Sequence, residues 1–406
     1  MSDVEKNWFA SRVLGIEESI TIATSARAGQ LRREGIDIIS LSAGEPDFDT
    51  PGNIKEAALE AIKDGKTKYT QPASGIPELK EAICDKLKQD NGLSYDPPQI
   101  VVACGAKQVI FDAIMTLIED GDEAIIPAPY WVSYADQVKL FDGKPVIVET
   151  TAESGFRISP EQLQNAITPK TKFVLFNSPN NPTGQVYTRD QLQKLANVIA
   201  DAGIFVISDE IYEKIIYDGL EHVSIPSLNP ELMDKSLVVN GLSKAYAMTG
   251  WRVGYGAGPP NLMKLIAKVQ SQETTNTCSI SQYAALEALR GPQASVEMMR
   301  QAFEERREVV VNGLNQISGI ACRKPQGAFY VFPDVSELYG RSDGKTVIQN
   351  DVDFCEFLLN RARVAGVPGS GFGADAHIRL SYATSTELIE GALDRIEKAV
   401  GQLEPA

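Results

Sequence analysis

Two cations stand in an apolar, glycine-rich stretch, VVNGLSKAYAMTGWRVGYG, running from Val238 to Gly256. Lys244 follows the turn signal Asn240-Gly241, and Arg252 sits among Trp251, Val253 and Gly254. Solvated charges on a surface loop are the plain alternative. The chemical alternative is sharper. An uncharged amine is the nucleophile of Schiff-base chemistry, and an ordinary lysine titrates far too high for that. Desolvation and a neighbouring cation lower a lysine pKa, and Arg252 supplies such a cation. Lys244 is therefore a candidate for a covalent bond to an aldehyde, with Arg252 holding a phosphate.

Three other stretches offer groups to such a ligand. Asp209 ends the apolar run Ile204 to Ser208, and Tyr212 follows three residues on. A carboxylate there is costly to desolvate alone. It either caps a helix or faces a cation such as a protonated ring nitrogen. NSPNNPTG, residues 177–184, makes a rigid turn after the run Lys172 to Phe176, and Asn181 could present its amide to a ligand. In VVACGAKQVIFDAI a strand meets Gly105-Ala106-Lys107 and then a periodic helix. Unpaired N–H groups at a helix start attract phosphate, although the spacing of a nucleotide-binding P-loop is missing. The GFGADA run at 371–376 fits a loose dinucleotide pattern but precedes a strand, so it is set aside.

The elements that must position these groups alternate. Short apolar runs at Ile100 to Cys104, Glu123 to Ile126, Pro145 to Val148, Lys172 to Phe176, Ile204 to Ser208 and Leu237 to Val239 are separated by amphipathic stretches. One of the helices is expected over Pro77 to Gln89, ended by Asn91-Gly92. This pattern predicts a mostly parallel central sheet flanked by helices, with ligands at the carboxyl ends of the strands. After Gln293 the character changes: a long helix over Ser295 to Ile317, then Gly319 to Val335 and His377 to Thr384 as strands. The expectation is an α/β large domain over 46–294 and a discontinuous, smaller α+β domain from 1–45 and 295–406. A length of 406 residues agrees with two such units.

Bulk composition removes several function classes. The formal charge of −15 disfavours a nucleic-acid partner. No apolar stretch is long and charge-free enough for a membrane span, and MSDVEKNWFASRVLG lacks a signal-peptide core. A cytoplasmic protein is expected. The five cysteines are scattered without a CxxC, which suggests reduced thiols. With only two histidines, no metal site is expected and a Ser-His-Asp triad is a poor bet.

Taken together, LSAGEPDFDTP, GKTKYT, GIPELKEAI, PYWVSY, NSPNNPTG, SDEIY, NGLSKAYAMTGWRVGY, GAFYVFPDV and HIRLSYATS, in this order, resemble the fold type I aminotransferases that use pyridoxal 5′-phosphate. The likeness is to the prokaryotic aspartate aminotransferase subgroup, class Ib, and runs through nearly the whole chain. It implies that Lys244 holds the cofactor covalently and, once displaced, moves the proton between the substrate Cα and the cofactor's C4′. Asp209 would pair with the pyridinium nitrogen, Tyr212 and Asn181 would bond the ring's phenolic oxygen, and Trp131 would stack on the ring. The phosphate would lie on the amides of Gly105, Ala106 and Lys107 with Ser243 and Arg252. The family pattern often has a second serine where this chain has Gly241, so one phosphate contact is in doubt. Tyr69 would reach the same phosphate from a second copy, which implies a homodimer with shared sites.

For the substrate, the resemblance implies that Arg379 clamps the α-carboxylate, with the N–H of Gly44 assisting and Trp131 and Asn181 nearby. Lys107, Ser19 and Thr21 would meet the distal carboxylate. The implied reaction moves nitrogen from aspartate to 2-oxoglutarate, with amino acids and 2-oxo acids as the small-molecule partners. Aromatic, prephenate or broad-range transamination on the same fold is the alternative. Glu17 stands where relatives that take prephenate carry a lysine, which weighs against prephenate. A β-lyase on related architecture and a non-enzymatic regulator are more distant rivals. The regulator lacks spare sequence for a DNA-binding domain.

Overall fold

A computed structural model describes residues 8–345 and 347–406. Residues 1–7, which open the expected small domain, and Thr346 lie outside the described residues. The centre is a seven-stranded sheet: β1 (Ile100–Ala103), β2 (Glu123–Pro127), β3 (Lys144–Val148), β4 (Thr171–Asn177), β5 (Phe205–Asp209), β6 (Ser236–Gly241) and β7 (Gly254–Ala257). Their spatial order is β1-β7-β6-β5-β4-β2-β3. Every pairing is parallel except those of β7, which runs antiparallel to β1 and β6. The interior strands are buried on both faces, which is why they read as unbroken apolar runs.

Five helices matter for the site: α1 (Ile20–Arg33), α2 (Pro77–Asn91), α3 (Ala106–Leu117), α4 (Ser133–Leu140) and α5 (Pro260–Glu273). In α2, Pro77 occupies the first turn, where its missing N–H costs nothing, and Gly92 closes the helix with φ 66°. Helices α3 and α5 pack together beside β1 and β7. A long helix, α6 (Ala294–Gln316), matches the expected Ser295 to Ile317.

Beyond α6 a three-stranded antiparallel sheet holds β8 (Tyr330–Val331), β9 (Val367–Pro368) and β10 (Ile378–Ser381). The long strand expected over Gly319 to Val335 is reduced to two residues. Pro325, Gly327 and a left-handed Ala328 (φ 55°) interrupt it, leaving an isolated bridge between Ala321 and Asp334. Ile39 and Ser40 pair in parallel with Val364 and Ala365, and Ile39 and Leu41 join the core built by α6 and the C-terminal elements. Among the described residues, no helix is long and apolar enough to cross a membrane.

Candidate active site

The chain brings its chemistry to one edge of the large sheet. Asn177 and Asp209 end neighbouring strands and stand in register. Lys244 follows the end of β6, α3 follows β1, Trp131 follows β2, and the antiparallel β7 begins there after Arg252. Strand ends leave backbone and side chains free of the ladder, which suits them to ligands. A cavity of about 670 Å³ opens at this edge. Lys244, Asp209, Tyr212, Asn181, Trp131, Ser243, Arg252 and Arg379 line it, together with Ala106, Lys107, Gly44, Ser19 and Thr21.

Lys244 donates from Nζ to the carbonyl of Gly44 at 2.6 Å. Its side chain touches the cavity yet is desolvated enough to bring the amine down to about 8. Burial is the main cause, and Arg379 and Arg252 push the same way against the pull of Glu45 and Asp209. The cation expected from the sequence, Arg252, is thus a lesser contributor than burial. An amine in this range carries a far larger neutral fraction near physiological pH than an ordinary lysine, as a nucleophile or proton carrier needs.

Asp209 is 4% exposed and has no cation bonded to it among the described residues. Tyr134 donates to its Oδ2 at 2.6 Å, and the amide of Ile211 donates to Oδ1 at 3.2 Å. Burial raises the carboxyl to about 6, while those two hydrogen bonds oppose the rise. A turn follows it where the sequence allowed a helix cap. A buried carboxylate steadied by hydrogen bonds but lacking a counter-charge is suited to a protonated ring nitrogen. Tyr134 was missed in the sequence because, within α4, it looks like an ordinary core aromatic.

Tyr212 and Tyr330 share a hydrogen bond at 2.8 Å, and burial raises both phenols, so both stay protonated. Asn181 accepts from Arg379 Nη1 at 3.0 Å through its Oδ1. Arg379 also donates from Nη2 to the carbonyl of Ser42 at 2.8 Å and packs over Tyr330 and Phe372. It is 1% exposed, its Nε has no partner, and no carboxylate among the described residues pairs with it. A dry guanidinium without a counter-ion is expensive, and a planar carboxylate matches its fork.

The cationic end of the cavity is shaped by what is missing from two glycines. Gly105 precedes α3 with φ 89°, and a Cβ there would lie 2.6 Å from Arg252 Nη2. A Cβ on Gly254 would lie 2.2 Å from the amide nitrogen of Ala106. Arg252 spans the gap, donating to the carbonyls of Thr249 at 2.9 Å and Cys104 at 3.2 Å. The amide of Gly105 turns back onto Ala103 at 2.7 Å. That leaves the first amides of the helix itself, those of Ala106 and Lys107, as the ones without a partner inside it. A helix start, a hydroxyl at Ser243 and an arginine make an anion cup, and the glycines let a phosphate come close.

Lys107 lies 4.7 Å from the Trp131 ring centroid, and its amine is lowered by burial and by Arg252. Thr21 Oγ1 is buried without a partner, and the Ser19 side chain makes no cap to α1. Tyr69 is the outlier. It is 78% exposed and lies outside the cavity of its own chain. One histidine does meet carboxylates: His222, Glu210 and Glu213 converge, tied by Lys86, Asn91 and Ser224 into a buried hydrogen-bonded cluster.

This arrangement, an amine-bearing cavity at the carboxyl edge of a seven-stranded sheet, is that of the fold type I aminotransferases. The chain belongs to the class I and II aminotransferases: the family model, "Aminotransferase class I and II", matches residues 36–396. The chain is 49% identical over 395 residues to an aspartate aminotransferase of Bacillus sp. (strain YM-2), covering 97% of this chain and 100% of that one. It is also 49% identical to an aspartate/prephenate aminotransferase of Cereibacter sphaeroides, covering 94% and 96%. Among solved structures, the aspartate aminotransferase from Rhizobium meliloti superposes with a TM-score of 0.95 at 47% identity, covering 98% and 99%. That of Thermus thermophilus with maleate gives 0.91 at 45%, covering 96% and 99%.

Proposed function

We propose that the protein transfers the amino group of L-aspartate to 2-oxoglutarate, giving oxaloacetate and L-glutamate, with pyridoxal 5′-phosphate as cofactor. The observation that carries this is the buried, uncompensated Arg379 facing the same cavity as the low-pKa Lys244. One group waits for a carboxylate and the other for an aldehyde. When bound, the cofactor supplies that aldehyde and an electron-poor ring that accepts the charge released at the substrate Cα.

The chain's own residues do the rest. Lys244 would anchor the cofactor, and its freed Nζ would take the proton from the substrate Cα and deliver it to the cofactor's aldehyde carbon, so that the nitrogen stays behind on the cofactor. Asp209, held by Tyr134, keeps the ring nitrogen protonated. Tyr212 and Asn181 bond the ring's phenolic oxygen, and Trp131 covers a face. Ser243, Arg252 and the amides of Ala106 and Lys107 take the phosphate beside Gly105, and Tyr69 of a second copy completes that cup. Arg379 and the Gly44 amide orient the α-carboxylate. Lys107, with the free hydroxyls of Ser19 and Thr21, meets the distal carboxylate. Residues 46–294 form the cofactor-binding unit in this scheme, and 1–45 with 295–406 form the smaller one. The pairing of Ile39–Ser40 with Val364–Ala365 supports that division. The working form is a cytoplasmic homodimer.

An activity matrix of amino acids against 2-oxo acids on purified protein tests the assignment. We expect aspartate and glutamate, with their oxo acids, to dominate kcat/KM. A matrix led by phenylalanine or prephenate would replace the substrate assignment. Some relatives are named for both aspartate and prephenate. Glu17 does not line the cavity, so any prephenate activity would have to come from other residues.

A further inference from the structure

One side chain fastens the cationic end of the cavity from behind. Gln108 is the third residue of α3 and is buried. Its Oε1 accepts the amide of Cys104 at 2.6 Å. Its Nε2 donates to Glu273 Oε2 at 2.9 Å and Thr274 Oγ1 at 3.0 Å, where α5 ends. The carbonyl of Cys104 in turn accepts from Arg252. The peptide before Gly105 is thus held by Gln108 on one side and by Arg252 on the other.

A turn further along α3 stands Asp112, 0% exposed, with no donor on either oxygen. Glu273, whose Oε2 accepts from Gln108 one helical turn earlier, is the acid that acts on it. Burial and a neighbouring carboxylate both disfavour a charged Asp112. Burial first, and Glu273 second, push the Asp112 carboxyl up to about 8. No cation contributes to this rise or opposes it among the causes that act on Asp112. Protonated Asp112 can therefore donate to Glu273, which stays in place to accept from Gln108.

We propose that Gln108 is a positioning residue for the phosphate cup, and that the Asp112–Glu273 acid pair keeps Gln108 in place. This rests on the cofactor assignment above. Loss of the Asp112 proton sets two carboxylates against each other. Glu273, exposed on its other side, swings to water, and Gln108 loses its acceptor.

The test titrates full-length, cofactor-free protein with pyridoxal phosphate and, separately, with pyridoxal, following tryptophan fluorescence. Gln108→Leu should weaken binding of pyridoxal phosphate roughly five- to tenfold, the scale of one lost buried hydrogen bond, while pyridoxal changes less than about twofold. Glu273→Ala, at an exposed position and so safe for folding, should show the same preference loss at about two- to threefold. The wild-type preference for the phosphorylated ligand should shrink between about pH 7 and 9, and Asp112→Asn should hold it constant. If both Gln108→Leu and Glu273→Ala keep the wild-type preference, the inference fails and the cofactor assignment stands. A wild type without any preference overturns both. A preference that falls with pH equally in Asp112→Asn removes the acid pair from the account.

Discussion

Tyr134 Oη lies 2.6 Å from Asp209 Oδ2, closing a contact between α4 and the end of β5 inside the core. It is the shorter of the two hydrogen bonds that oppose the effect of burial on this carboxyl. Tyr134→Phe should therefore raise the Asp209 pKa above its present value of about 6. On the proposed pairing of Asp209 with the ring nitrogen, cofactor affinity should fall as pH drops through about 6. In Tyr134→Phe that fall should begin roughly one pH unit higher, the scale of a lost hydrogen bond to a charged group. Fluorescence titrations of the cofactor across pH check this, and coincident curves would remove Tyr134 from the role.

Lys244 should capture aldehydes at unusually low pH for a lysine. Its amine is neutral above about 8, so the rate of capture should rise through that pH and then level. Pyridoxal added to cofactor-free protein, trapped with borohydride and mapped by mass spectrometry, gives the rate and the position. A rate still climbing above about pH 9, or label on another lysine, would contradict the assignment. Lys244→Ala should lose both the label and turnover.

Arg379→Lys keeps a charge but loses the planar fork and the bonds to Asn181 and Ser42. We expect kcat/KM for aspartate to fall on the order of a hundredfold, mostly through KM. Steady-state kinetics check it. An unchanged KM would mean the carboxylate is held elsewhere.

Lys107→Ala should separate substrates. Aspartate should lose about ten- to a hundredfold in kcat/KM and phenylalanine much less, since only the former presents a distal charge. Equal losses would assign Lys107 to the cofactor alone.

Asp112→Asn should stabilise the protein in a pH-dependent way. The folded carboxyl titrates near 8 and the unfolded one in the ordinary aspartate range. The native state therefore binds the extra proton between those values, and wild-type stability declines as pH rises across that window. The gain in Tm from Asp112→Asn should be small near pH 4, grow up to about pH 8 and stay constant beyond. A gap that narrows with rising pH would show the sign to be wrong.

The alternating strands were legible because burial on both faces demands unbroken apolar runs. Asp209 and Lys244 stood out as polar groups at the ends of such runs. Arg379 gave no such signal: alone, it reads as an edge-strand charge, and its meaning came from the family resemblance. Tyr134 reaches Asp209 across 75 residues of sequence, and Gln108 reaches Glu273 across 165. Neither pairing leaves a local trace, since a core aromatic and a helix amide are unremarkable where they stand. The two-residue strands were too short to carry a period. The Gln108 bond to Cys104 was closer to hand, since a glutamine at the third helical position often reaches back to an amide before the helix.

The guanidinium at position 379 has a consequence for durability. A cation kept dry with no carboxylate opposite it among the described residues weakens the empty fold, so the residue proposed to grip the substrate also makes the protein fragile when idle. Filling that space with a hydrocarbon side chain should toughen the molecule and silence it in the same stroke, whereas a bound amino or 2-oxo acid would act as a scaffold for its own enzyme.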